Sequence, residues 1–198
     1  MMNTVFFDID SQLDFLFPAG ALYVPGAERI VPAIARLNQF AAAHGIPVVS
    51  TTDAHAEDDP EFSQWPPHCV SGTLGQRKAE ATLLEERVVI PNRDCALDLE
   101  GARQIVVEKQ TVDVFQSVNL RRIVERLNAA RCVVYGVVTE ICVLYAVRGL
   151  LQMGRPVTVV TDAVETLKAE DSVRALAEMC ASGARLATTA EICGAGRG

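Results

Sequence analysis

The sequence predicts an α/β fold in three layers, a parallel β-sheet with helices on both faces, and three observations carry that expectation. Short β-branched runs alternate along the chain with segments whose apolar residues recur at helical spacing. The strand-like runs have no consistently polar face, as strands covered on both sides require. At 198 residues, with 49% hydrophobic and 22% charged residues, the chain suits one domain (1–198) with a sizeable core rather than a disordered chain.

Taken in order, Thr4–Ile9 (TVFFDI) reads as a buried strand running into DSQLDF at 10–15. The stretch through Pro25-Gly26 is rich in glycine, proline and small residues and reads as a loop. From Ala27 to His44 the apolar positions Ile30, Val31, Ile34, Leu37, Phe40 and Ala41 fall on one helical face. Gly45 stops that helix, and Pro47 opens a strand over Val48–Thr52. Residues 53–76 are polar, proline-containing and aperiodic, and a loop that long inside a compact domain usually has a function. Strands are then expected at Val88–Ile90, Gln104–Glu108, Cys132–Tyr135, Pro156–Thr161 and Ala184–Ala187. Helices are expected at roughly Leu120–Ala129, Thr139–Met153 and Asp171–Ser182.

Composition narrows the partners. A net charge of −7, with a pI near 5.0, argues against nucleic acid and against an anionic membrane surface as partners. No apolar run is long enough to span a bilayer, and MMNTVFFDID lacks a basic n-region before its apolar run stops at Asp8. The six cysteines (69, 95, 132, 142, 180, 193) contain no CxxC pair, so reduced thiols in the cytosol are expected. Whether the chain forms a homo-oligomer is left open.

The rest of the chain is organised around YGVVTEICVLYAVRG at 135–149, where a strand passes Gly136 into a turn and a helix opens at Thr139 with Cys142 on its first turn. Backbone N–H groups and the helix dipole at such a place favour a thiolate and can receive an oxyanion. A buried cysteine in a strand–helix corner would look the same locally. The distinction comes from the other strand ends. In a parallel sheet the ligand site lies at the carboxyl ends of the strands, near the point where strand order reverses. Asp10, Asp53, Lys109 and Cys142 each follow a strand, which puts an acid, a cation and a thiol on one edge. Asp10 can take the thiol's proton and return it to a leaving amine, while Lys109 holds the charges together. A second set, Asp53-Ala54-His55 with His68, uses two of the chain's three histidines and offers a carboxylate and two imidazoles, suited to zinc, or to manganese or iron. His44 reads only as a partner for a helix C-terminus.

These residues resemble a known pattern. DSQLDF at 10–15, DAH at 53–55, WPPHCVSGTLG at 65–75, EKQTVDVF around Lys109 and GVVTEICV at 136–143 are similar, in order, to the nicotinamidase/pyrazinamidase group of the isochorismatase-like cysteine hydrolases. The resemblance implies a Rossmann-like sheet, an Asp10–Lys109–Cys142 triad, and a cis peptide between Val137 and Val138. That peptide would turn the N–H groups of Val138 and Cys142 into an oxyanion hole. It also implies a divalent ion, zinc by preference, on Asp53, His55 and His68. Phe15 and Trp65 would hold an aromatic ring beside Val137, and the activity would be hydrolysis of nicotinamide, a step of NAD salvage. The chain departs from the pattern where some members carry a further histidine: residues 56–62 contain none, and Glu61, seven residues before His68, resembles the carboxylate ligand of another subgroup. Residues 112–115 fall in the variable pocket wall of the pattern, where a difference would change the substrate. Rival readings are a relative acting on another amide or carbamoyl compound, a metallohydrolase in which Cys142 is incidental, and a non-enzymatic metal- or metabolite-binding module.

Overall fold

A computed structural model describes residues 3–194. Seven strands, β1 (Thr4–Ile9), β2 (Val48–Asp53), β3 (Arg87–Ile90), β4 (Gln104–Lys109), β5 (Arg131–Val137), β6 (Val157–Glu165) and β7 (Arg185–Ala187), form one sheet in the order β3-β4-β2-β1-β5-β6-β7. All neighbours run parallel. The helices are α1 (Leu13–Leu16), α2 (Val31–Ala43), α3 (Leu120–Arg126), α4 (Leu144–Gln152), α5 (Ala169–Ala181) and α6 (Thr189–Cys193). α2 packs with α6, and α4 packs with α5, which covers both faces of the sheet. The expected α/β/α architecture is therefore present. Strand order reverses at β1, which pairs with β2 on one side and β5 on the other. The crevice for a ligand follows from that reversal, beyond Ile9 and Val137.

Several element expectations need correction. The periodic stretch from Ala27 is a 3-10 turn over Ala27–Ile30 before α2 begins at Val31, with Pro32 in the first turn where a missing N–H costs nothing. Gly136 does not turn the chain: it lies inside β5 with φ +119°, and a Cβ there would sit 2.0 Å from the Ile9 carbonyl oxygen. The glycine serves close approach of β1 and β5, not reversal. The helix expected from Thr139 opens instead as a wide π-turn over Thr139–Val143, in which the Val143 N–H reaches back five residues to the Val138 carbonyl at 3.1 Å. β6 runs on to Glu165, past the Thr161 where β-propensity falters, because a register shift between Val134 and Gly136 lets it keep pairing with β5. α6 was not anticipated; its signal was the capping box in which Thr188 and Glu191 satisfy each other's backbone N–H groups.

The α2 face of the sheet hides a polar network. Asp8 Oδ2 accepts from Asn38 (3.1 Å) and Ser50 (3.2 Å) and pairs with Lys78 Nζ at 3.3 Å, and the Lys78 ammonium also donates to the Thr51 carbonyl at 3.3 Å. Tyr135, wholly buried, donates to Asn38 Oδ1. A buried lysine–aspartate pair is costly to desolvate and survives where hydrogen bonds complete it.

Candidate active site

Three strand ends deliver the acid, the cation and the thiol. Asp10 follows β1 with φ +49°, a left-handed conformation that aspartate tolerates better than most residues. Its backbone N–H donates to Thr51 Oγ1 (3.1 Å), and the Thr51 hydroxyl donates to Asp10 Oδ1 (2.5 Å). Lys109, fully buried at the end of β4, sits in register with Asp53 at the end of β2. Its ammonium lies 2.9 Å from Asp10 Oδ2, 2.5 Å from Asp53 Oδ1 and 3.9 Å from Cys142 Sγ. Cys142 lies in the π-turn after β5. The structure thus brings Asp10, Lys109 and Cys142 together.

The electrostatics around Cys142 pull in two directions. Burial pushes the Cys142 thiol well above its ordinary pKa; only Lys109 pulls it down, while Asp10 and Asp53 push it further up and a hydrogen bond with Asp10 adds to the rise. One ammonium faces two carboxylates here, beside the thiol. Burial alone would lower the Lys109 pKa, but Asp10 and Asp53 together hold it well above the usual lysine range. Burial pushes Asp53 up to about 7, against the pull of Lys109.

The peptide between Val137 and Val138 is cis, and both residues line a pocket. Cys142, Phe15, Trp65, Asp53, Glu61 and His68 share that pocket. Val112 lines it too, whereas Phe115, from the stretch expected to vary, packs under Gly149 and Arg121 instead.

Asp53, His55 and His68 have donor atoms within 4.8 Å of one another, and all three residues are buried. His55 Nε2 lies 3.9 Å from Asp53 Oδ1 and 3.7 Å from Glu61 Oε2, and His68 Nε2 lies 3.9 Å from Asp53 Oδ2. These gaps are too long for hydrogen bonds. Ligands at about 2.1 Å from one zinc ion stand only a little closer together. His55 Nε2 and Glu61 Oε2 are buried without a hydrogen-bond partner, a cost that a shared cation would remove. Each imidazole turns its other nitrogen away: His68 Nδ1 is 2.8 Å from the Pro66 carbonyl, and His55 Nδ1 is 3.0 Å from Asp59 Oδ2. The donor set fits a divalent cation, with Glu61 beside the three expected ligands.

Four residues that hold this arrangement carried no role in the sequence reading. Gln12 clasps Asp53, accepting from its N–H (2.7 Å) and donating to its carbonyl (2.9 Å). Asp14 accepts from the Cys69 N–H (2.7 Å) and the Ala21 N–H (2.9 Å), pinning the turn after His68. Asp59 faces His55 and caps the 3-10 turn that carries Glu61. Thr51 holds Asp10. Gln12 and Asp14 stand in the DSQLDF motif, which was their only signal; Thr51 and Asp59 had none. His44 donates from Nδ1 to the Phe40 carbonyl at the end of α2, away from the site. All six cysteines are free.

Comparison with known proteins agrees with this geometry. The isochorismatase domain model matches residues 4–191. The chain is 27% identical over 213 residues to the nicotinamidase of Escherichia coli (strain K12), an alignment covering 92% of this chain and 93% of that protein. It is similar in structure to the pyrazinamidase of Pyrococcus horikoshii in complex with zinc, with a TM-score of 0.79 and 28% identity, covering 94% of this chain and 99% of that one. The nicotinamidase of Bacillus subtilis gives a TM-score of 0.82 at 25% identity, covering 94% and 99%.

Proposed function

Because the chain belongs to the isochorismatase domain family, we propose that it is a metal-dependent cysteine amidase converting nicotinamide, or a close heteroaromatic amide, to the acid and ammonia. At the coarser level it is an amidohydrolase of the nicotinamidase-like kind. The observation that carries the finer reading is the position of the Lys109 ammonium, 2.9 Å from Asp10 and 2.5 Å from Asp53. It joins a thiol–acid pair to a cation-binding cluster across one pocket.

In this mechanism the thiol proton of Cys142 passes to Asp10 as sulfur attacks the carboxamide carbon. The backbone N–H groups of Val138 and Cys142 receive the charge that develops on the carbonyl oxygen. Asp10 then returns the proton to nitrogen, and ammonia departs, leaving a thioester. Water, deprotonated by Asp10, releases the acid and regenerates the thiol. Asp53, His55, His68 and Glu61 would hold the ion, zinc first and manganese or iron next. When bound, it supplies a Lewis-acid contact for a ring nitrogen. Phe15 and Trp65 contribute flat apolar surface for the ring.

The reading includes a cytoplasmic enzyme of NAD salvage that takes a small-molecule amide; no helix among the described residues is long and apolar enough to cross a membrane. Ammonia release from a panel of nicotinamide, pyrazinamide, benzamide and small carbamoyl compounds tests it. Preference for the ring-nitrogen amides is the expected result; preference for a carbamoyl compound would replace nicotinamide with that substrate.

A further inference from the structure

We propose that Thr51 is the positioning residue that sets the Asp10 carboxylate for proton transfer. The argument begins with the hydroxyl's single proton. Thr51 Oγ1 accepts from the Asp10 backbone N–H at 3.1 Å, so a lone pair is committed there. Its one proton goes to Asp10 Oδ1 at 2.5 Å. The other carboxylate oxygen, Oδ2, faces Lys109 Nζ at 2.9 Å. One hydroxyl therefore fixes both the left-handed backbone of Asp10 (φ +49°) and the rotation of its carboxylate. Neither Thr51 nor Asp10 is exposed, so water cannot take over that role.

Thr51 is itself held from behind. Its carbonyl accepts from Lys78, whose ammonium is paired with the buried Asp8, and its strand β2 pairs on both sides, with β1 and β4. The hydroxyl is thus presented from a braced strand, which is what a proton-transfer geometry requires of its support. Without it, nothing on Oδ1 opposes rotation of the Asp10 carboxylate about its contact with Lys109. The bond changes are these: the S–H bond of Cys142 breaks, a new O–H bond forms on Asp10, the sulfur electron pair makes the bond to carbon, and the carbonyl π pair moves to oxygen.

This inference rests on Asp10 acting as the base in the proposed amidase. The test compares Thr51→Val, which keeps the shape and removes the hydroxyl, with Thr51→Ser, which keeps the hydroxyl. Thr51→Val is expected to lower kcat for nicotinamide by about ten- to a hundredfold, the scale of a misplaced catalytic group. KM should stay within about twofold, as for an interaction made only in the transition state. It should also slow alkylation of Cys142 by iodoacetamide, and Thr51→Ser should restore both. In an Asp10→Asn background, removing the hydroxyl should change neither rate further, because the two groups act through one contact. Alkylation needs no amide substrate, so the test stands even if the substrate panel selects another amide. Wild-type rates in Thr51→Val, a loss that serine does not rescue, or an equal loss in the Asp10→Asn background would each overturn the assignment. If Thr51→Val does not fold, Thr51→Ala against Thr51→Ser makes the same comparison without a bulky side chain to accommodate.

Discussion

The two halves of this site are built differently. In the thiol half Lys109 closes β4, Asp10 directly follows β1 against the β2 residue Thr51, and Cys142 lies in the turn that β5 feeds, so the sheet sets where each one starts. The histidine half takes only Asp53 from a strand end; His55, Glu61 and His68 come from the 54–76 segment, where backbone bonds to Cys69 and Ser71 hold His55 while the Asp59 and Asp14 side chains pin the turns at Glu61 and after His68. Strand ends inherit their positions from a hydrogen-bonded ladder that would have to break to move them. Loop donors depend on fewer bonds, and those made by the Asp14 and Asp59 side chains can each be removed by one substitution. The first half should therefore fail in chemistry, and the second in placement.

The sharpest break is Cys142→Ala. It should abolish turnover while leaving the melting temperature nearly unchanged, because Cys142 is a small side chain at the pocket wall; substantial residual activity would sink the thiol mechanism. Lys109→Met should also cost orders of magnitude in kcat, but with lost stability, since it strands Asp10 and Asp53 without their cation. Breaking a buried pair costs about 3–5 kcal/mol, visible by denaturant titration. Paired with Cys142→Ala, neither Lys109→Met nor Asp10→Asn should lower activity further, because the three act as a unit; additive losses would separate them.

The histidine half should respond in KM. His55→Ala or His68→Ala, with metal content measured in parallel, should raise KM for nicotinamide at least about tenfold, since ring placement sets the attack geometry. Benzamide, with no ring nitrogen, should lose little. Equal losses for both amides would mean that the cluster is structural or activates water. The mildest probe is Gly75→Ala, whose new methyl would sit 2.2 Å from the Asp14 carboxylate and push it off the Cys69 N–H. Overpacking of this kind costs about 1–3 kcal/mol. It should lower the melting temperature and weaken metal retention, with iodoacetamide alkylation of Cys142 almost unchanged. Slowed alkylation would show that the halves are not separable.

The same contrast explains what could be read from the chain alone. Apolar β-branched runs mark where strands stop, so the sequence alone puts Asp10, Asp53, Lys109 and Cys142 on one edge. Gly136 misled because glycine marks both turns and close backbone approach, and only the distance to Ile9 separates the two. The π-turn at Thr139 was invisible because its residues suit an ordinary helix and the distinction lies in one long hydrogen bond from Val143. Thr51 looked like one more strand residue, because a strand pattern does not show which hydroxyl meets a neighbouring strand's end.

The Asp8–Lys78 pair has a consequence for how this sequence can diverge. Replacing Asp8 alone leaves an ammonium buried against the Thr51 carbonyl, and replacing Lys78 alone leaves a carboxylate that only Asn38 and Ser50 address. Either single step costs more than changing both positions to apolar residues of matching volume. Descendants of this chain should thus be found with both charges or with neither, and the intermediate genotype should be a valley that lineages cross rarely. The two positions, 70 residues apart, would then drift as one inherited character.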